Sequence, residues 1–136
     1  HLVYLSHPAL SRLLLQSGVG AMTSAVALGT LLRLGGADIS VFVAPGGRFR
    51  YTQAQCMSIA DAGRASLGQI APLWPSPAGG MDLEKIGDLC ARYGRDTVLL
   101  VGGAMQAYSS DFTRGTRAFL DEIVRHCGER LVEPAR

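Results

Sequence analysis

Short apolar runs alternate with amphipathic stretches four times along the chain, the pattern of parallel strands joined by crossover helices. The first run, Leu2 to Ser6, predicts a strand that ends at His7-Pro8, where the proline biases the residue before it away from helix. An apolar stretch from Ala9 to Leu15 predicts a short helix before Gly18 and Gly20. Thr23 and Ser24 offer a cap for the next helix, whose apolar face runs through Val26, Leu28, Leu31, Leu32 and Leu34 until Gly35-Gly36 stops it. The second strand follows: Ile39, Val41 and Val43 alternate with Ser40 and Phe42, a composition suited to burial on both faces.

Thr52 with Gln55 three residues later is a capping-box signature, and it opens a helix with Cys56, Ile59, Ala60 and Gly63 on one side. The third strand is expected over Ile70 to Trp74, with Pro72 removing a ladder donor and Pro75 closing it, and Ser76 to Gly80 forming the loop beyond. Asp82 caps the clearest helix, which carries Leu83, Ile86, Leu89, Cys90 and Tyr93 on one face and meets Gly94 past its end. The fourth strand is expected over Thr97 to Val101. A last helix follows Asp111 with Phe119, Leu120, Ile123 and Val124 turned inward, and the tail from Glu129 reads as peripheral.

Four consecutive βα units in 136 residues fit either half of a TIM (β/α)8 barrel or a small doubly wound sheet, both of the α/β class. A hydrophobic fraction of 48% excludes a disordered or collagen-like chain. The formal charge of +2 arises from twelve arginines and one lysine, Lys85, against eleven scattered acids, so the basic stripe of a nucleic-acid binder is missing and no nucleic-acid partner is expected. Cys56, Cys90 and Cys127 show neither a Cys-x-x-Cys pair nor histidines at ligand spacing, so neither zinc nor a disulfide is assigned. They fit reduced, buried thiols in a cytoplasmic protein. With no apolar run of about eighteen residues and no leader-like N-terminus, a soluble chain without a membrane partner is expected. A start at His1, within a few residues of a strand, suggests a piece of something longer.

Two glycine pairs, Gly79-Gly80 and Gly102-Gly103, each fall at the C-terminal end of an expected strand and just before a helix. Glycine lets backbone amides approach an anion closely, so together the pairs could clamp a phosphate; either pair alone reads as a tight turn. In barrels the loops after the last two strands are a frequent phosphate site.

His7-Pro8-Ala9-Leu10, Leu31 to Asp38, Pro77-Ala78-Gly79-Gly80 and Val98 to Gly103 together resemble the RuBisCO large-chain family in order and spacing, and the RuBisCO-like, type IV proteins most closely. The resemblance covers nearly the whole chain. It implies that the four units are strands five to eight, the C-terminal half of the catalytic barrel, with the N-terminal α/β domain and strands one to four absent. It places His7 where the family has an active-site histidine, in contact with substrate or in proton transfer, a role suited to imidazole. Ala78, Gly79 and Gly80 match the seventh-strand part of the family's phosphate-binding backbone, and Gly102 and Gly103 the eighth. True carboxylases have a serine at Ala78, so a side-chain donor is lost while the backbone donors remain.

The departures are larger after the sixth strand. Carboxylases have a second histidine at Val41, and a mobile loop with a catalytic lysine where this chain has Ala44 to Phe49. Lys85, the one lysine, is expected to be a solvated charge on a helix. Carbon dioxide fixation is therefore not expected. Arg48 and Arg50 flank the loop, and Arg48 could pair with an anionic substrate; Ser11, Ser40 and Gln106, also near strand ends, are given no role.

The resemblance further implies a magnesium ion in the full-length parent, held by a carbamylated lysine and two acids of a motif this chain lacks, so no metal ligand is assigned here. It implies a homodimer or higher homo-oligomer and a phosphorylated small-molecule substrate. The implied chemistry runs through an enediolate on a phosphorylated keto sugar or keto sugar acid: enolase, isomerase, or decarboxylase and transcarboxylase, toward which Gly46 to Phe49 leans. This chain alone is expected to be inactive. The alternatives are a non-catalytic half-barrel fragment that binds phosphate or self-associates, and a flavodoxin-like module, which the His7-Pro8 turn disfavours for want of acids or a phosphate loop.

Overall fold

Ile39–Val43 (β2) is the strand that its β-branched run predicts, and it lies at the centre of a three-stranded parallel sheet between Leu5–Ser6 (β1) and Trp74–Ala78 (β3). A computed structural model describes residues 2–7, 9, 22–45 and 51–128. The stretch from Leu10 to Leu15, Gly18 and Gly20, the segment from Gly46 to Arg50 and the tail from Glu129 lie outside the described residues.

The first strand is shorter than expected: β1 is Leu5–Ser6, paired with Ile39 and Ser40. Ahead of it, Tyr4 still touches β2, since its N–H donates to Asp38 Oδ2 at 2.8 Å and its carbonyl accepts from the Asp38 N–H at 2.9 Å.

The third strand is displaced from its expected place. β3 is Trp74–Ala78, in register with Ile39 to Val43, so Ser76 to Ala78 belong to the strand rather than the loop. Two prolines are tolerated because successive residues of a strand direct their backbone groups to opposite neighbours. The Trp74 N–H donates to Asp38 at 2.8 Å and the Ala78 carbonyl accepts from Ala44 at 2.8 Å, both on the β2 side. Pro75 and Pro77 face the other way, and the Pro75 carbonyl accepts from the Val98 N–H at 3.1 Å. In a regular ladder the Val98 carbonyl would then accept from residue 77, which has no N–H to give. The expected fourth strand is accordingly reduced to that bond and one parallel bridge, Ala78 to Leu100.

Helices pack against the sheet face that carries Ser40, Phe42, Pro75 and Pro77. The first helical run is a π-helix, Ala25–Leu31 (α1), continued by one α-turn, Leu32–Leu34 (α2). Its i→i+5 bonding rotates side chains away from a 3.6-residue stripe. Leu28 is buried as expected, but Val26, Leu31 and Leu34 are exposed. Ser40 Oγ donates to the Leu28 carbonyl at 2.7 Å, fastening this run to β2. A Cβ on Gly29 would lie 2.8 Å from Ala62 Cβ and 2.9 Å from the Ile59 carbonyl, so only glycine lets the run approach its neighbour helix.

That neighbour is Gln53–Arg64 (α3), which begins with the expected capping box and buries Cys56, Ile59, Ala60 and Gly63. Phe42 and Tyr93 close the core beside it, their ring centroids 6.3 Å apart. Full burial of a side chain such as Ile59 or Phe42 contributes about 1.5–3 kcal/mol.

Asp82 caps a 3₁₀ turn, Leu83–Lys85, that leads into Ile86–Tyr93 (α4), and Gly94 follows with φ 72°. Gly102–Tyr108 (α5) forms where the sequence shows only a glycine pair and a polar stretch. Phe112–Cys127 (α6) starts at Asp111, whose Oδ1 accepts from the N–H groups of Thr113 and Arg114 at 2.9 and 3.3 Å. α6 packs on α4 and buries Phe119, while Leu120 is exposed.

Candidate functional site

Parallel strands share a direction, so their C-terminal ends line one edge of the sheet. His7 follows β1, Ala44 and Pro45 follow β2, Gly79 and Gly80 follow β3, and Gly102 comes two residues after the Leu100 bridge.

The bridge between Ala78 and Leu100 places the two glycine pairs on adjacent segments, each just beyond a paired residue. Gly79 and Gly80 have φ of 89° and 63°, a left-handed sequence that glycine alone adopts without strain. Consecutive amides in such turns form concavities suited to anions. A Cβ on Gly79, Gly102 or Gly103 would meet nothing within 4 Å, so the space at these three positions is open. Gly102 and Gly103 are the first residues of α5. Ala78, half-buried, closes β3 beneath the first pair.

His7 is exposed and stands apart from the pairs. Ser6 pairs with Ser40 and Ser40 with Pro75, so His7 is level with Ser76 and two strands away from it, roughly 10 Å at the usual strand spacing. Arg48 lies outside the described residues.

Two side chains that the sequence reading passed over lie at this edge. Lys85 is not merely solvated: its Nζ donates to the Gly80 carbonyl at 2.5 Å and pairs with Asp82 Oδ2 at 2.7 Å. The contact follows from chain order, because the Asp82-capped turn folds Lys85 back over the loop before it. The Lys85 ammonium holds the Asp82 carboxyl below the usual carboxylate range, mainly through their hydrogen bond. Ser76 is fully buried and its Oγ has no hydrogen-bond partner among the described residues. Neither signal is visible in a spacing pattern.

Among the described residues, no group of three or more His, Cys, Asp and Glu side chains could hold a metal ion. The described part of this chain thus offers no cage of three such side chains for an ion. None of its helices is long and apolar enough to cross a membrane.

Parallel strands, helices packed on them and glycine turns gathered at the carboxyl edge define an α/β chain of βα units. No family model matches the chain. It is 38% identical over 92% of its length to a ribulose bisphosphate carboxylase-like protein 1 of Rhodopseudomonas palustris, covering 32% of that protein. It is 33% identical over 92% of its length to a 5-methylthioribulose-1-phosphate isomerase of Rhodospirillum rubrum, covering 33% of it. A crystal structure of a rubisco-like protein from Alicyclobacillus acidocaldarius superposes with a TM-score of 0.80 at 31% identity, over 90% of this chain and 31% of that one. The chain belongs to the RuBisCO-like protein family. It spans about a third of the length of the curated relatives it matches.

Proposed function

We propose that the chain is the C-terminal half of the catalytic barrel, strands five to eight, of a RuBisCO-like enzyme that acts through an enediolate on a phosphorylated keto sugar or keto sugar acid. The adjacency of the two glycine pairs through the Ala78 to Leu100 bridge carries this reading. A phosphate dianion seated there would accept from the N–H groups of Gly80, Gly102 and Gly103, with Gly79, whose own N–H the parallel bridge turns toward the Leu100 carbonyl, shaping the turn and Ala78 contributing backbone beneath it. The relative named as an isomerase of a sugar phosphate supports a substrate of this class and favours proton transfer beside a carbonyl. His7, at the same edge, is the residue we assign to hold or move that proton. Arg48 is the reserve contact for an anionic group. A carboxylase is disfavoured because Ala44 to Phe49 carries no lysine. The ligands of the magnesium ion that the resemblance implies are assigned to the part of the parent that this chain lacks. The parent is read as a cytoplasmic homodimer or higher homo-oligomer.

Titration of the folded chain with inorganic phosphate and with 5-methylthioribulose 1-phosphate, followed by amide NMR, tests the clamp. Saturable shifts of the Gly80, Gly102 and Gly103 amides are expected, and Gly103→Ala, for which there is open space, should weaken them without unfolding the chain. A folded chain whose glycine amides stay unmoved sinks the reading.

A second reading, a half-barrel that self-associates without catalysis, is favoured by Leu5, Trp74 and Leu100, all exposed on one face of the sheet. Light scattering of the purified chain decides it: a monomer at high concentration ends this alternative.

A further inference from the structure

Cys90 lies in the middle of α4 and Cys127 ends α6, thirty-seven positions apart in sequence (127 − 90), yet packing of α6 on α4 brings both to the wall of one cavity of about 280 Å³. The rest of that wall is largely apolar, with Leu89, Leu99, Ile123 and Val124 among its residues. Both cysteines are half-buried, so a small reagent can reach them, whereas Cys56 is sealed in the core with its Sγ donating to the Val43 carbonyl at 3.2 Å. We propose that Cys90 and Cys127 form a dithiol modification site that closes to a disulfide between α4 and α6 when it meets an oxidised low-molecular-weight thiol.

The chemistry of the wall favours this product. Burial and, after it, the neighbouring Cys127 push the Cys90 thiol up to about 12, in keeping with two sulfurs on one apolar wall. A disulfide carries no charge and needs no hydrogen-bond partner, so it fits a wall that disfavours the ion. The exchange balances in two steps. The Cys127 sulfur, having lost its proton to water, attacks one sulfur of the oxidant and expels a small thiolate, leaving a mixed disulfide. The Cys90 sulfur then gives up its proton and attacks the Cys127 sulfur, expelling the second small thiolate, so the oxidant's disulfide is reduced to two thiols as the protein's forms. Thr97 and Leu99 border the same cavity and belong to the segment that leads to Gly102 and Gly103. A covalent link there would brace a segment whose sheet pairing is otherwise sparse.

The folded, reduced chain is incubated with oxidised glutathione, blocked with iodoacetamide and digested by trypsin without reduction. A linked pair of peptides is expected, one from Ile86 to Arg92 and the other from His126 to Arg130, with Cys56 outside any disulfide. The linked form should melt at a higher temperature than the reduced form, return to it with dithiothreitol, and exchange the amides of residues 97–101 more slowly. Cys90→Ser should instead accumulate the glutathione adduct at Cys127. Adducts at both cysteines of the native chain without a link, no reaction at either, or a link through Cys56 would each overturn the proposal.

Discussion

Lys85 Nζ donates to the carbonyl of Gly80, so the one lysine of the chain holds the turn that, with its neighbour at Gly102-Gly103, forms the candidate phosphate site. The contact fixes the orientation of a left-handed glycine turn and sets a positive charge beside it. Lys85→Met should raise the Kd for inorganic phosphate several-fold and flatten its salt dependence, with the far-ultraviolet spectrum unchanged. An unaltered Kd in calorimetry would mean the lysine only decorates the turn.

Asp82 supplies the matching pH prediction. Its carboxyl is held below the ordinary aspartate value of 3.8, so its contribution is present above that pH and is lost only as pH falls through the lower folded midpoint. A carboxyl-carbon NMR titration of Asp82 should give a midpoint below 3.8, and Lys85→Met should move it upward.

Arg33, 3% exposed, has a structural task. Its guanidinium donates to the carbonyls of Ala65 at 2.5 Å, Ala71 at 2.7 Å and Ile70, tying the loop between α3 and β3 to the end of α2. The planar fork serves three acceptors at once, a geometry an ammonium does not reproduce. Hydrogen bonds from a charged donor are worth about 1.5–3 kcal/mol each, less where the freed carbonyl finds water. Arg33→Met should therefore cost about 2–3 kcal/mol in urea unfolding, with Arg33→Lys recovering only a part.

What the sequence made legible follows from which rules act locally. The capping box at Thr52 and Gln55 and the buried stripe from Cys56 to Gly63 depend on residues a few positions apart, and both are present in α3. The β-branched run of β2 was equally plain. β3 runs beyond its expected end at Trp74 because proline breaks a strand only where the neighbour that its missing N–H would face needs that donor. In β3 both prolines face the segment of Val98, so the loss falls on the fourth strand instead. The stripe is lost at Val26 and Leu31 because a π-helix does not repeat at 3.6 residues, and Leu34 lies in the α-turn beyond it. At the candidate site, the glycine pairs were visible as residue types, but their adjacency is a property of the bridge, and the Lys85 contact arises from a turn that folds back on the loop.

Alkaline stability tests the core. Burial pushes the thiol of Cys56 up from 9.0 to about 11 and the phenol of Tyr93 from 10.0 to about 12. Groups raised in this sense contribute fully below their unfolded values and less as pH climbs through the folded ones. The urea midpoint should hold up to about pH 9 and then fall. Tyr93 Oη is buried without a hydrogen-bond partner among the described residues, so Tyr93→Phe removes an uncompensated group. The variant should be as stable as the parent or up to about 1 kcal/mol better, and its decline above pH 10.0 should be shallower. A loss of stability at neutral pH would show that the hydroxyl has a partner.

The N–H that Pro77 withholds from the ladder can be restored by substitution. If the Val98 carbonyl faces residue 77 across a parallel register, Pro77→Ala supplies the N–H that the ladder lacks. The ring of Pro77 is fully buried, so the variant leaves a small cavity, and the two effects should leave overall stability within about 1 kcal/mol of the parent. The informative quantity is the new amide itself. It should exchange with solvent as slowly as its neighbour Ser76, and the Leu100 amide should slow with it, because a completed ladder holds the segment leading to Gly102. Fast exchange at residue 77 in a folded variant would mean that the fourth segment is not aligned for pairing, and the shortness of its ladder would then have a cause other than proline.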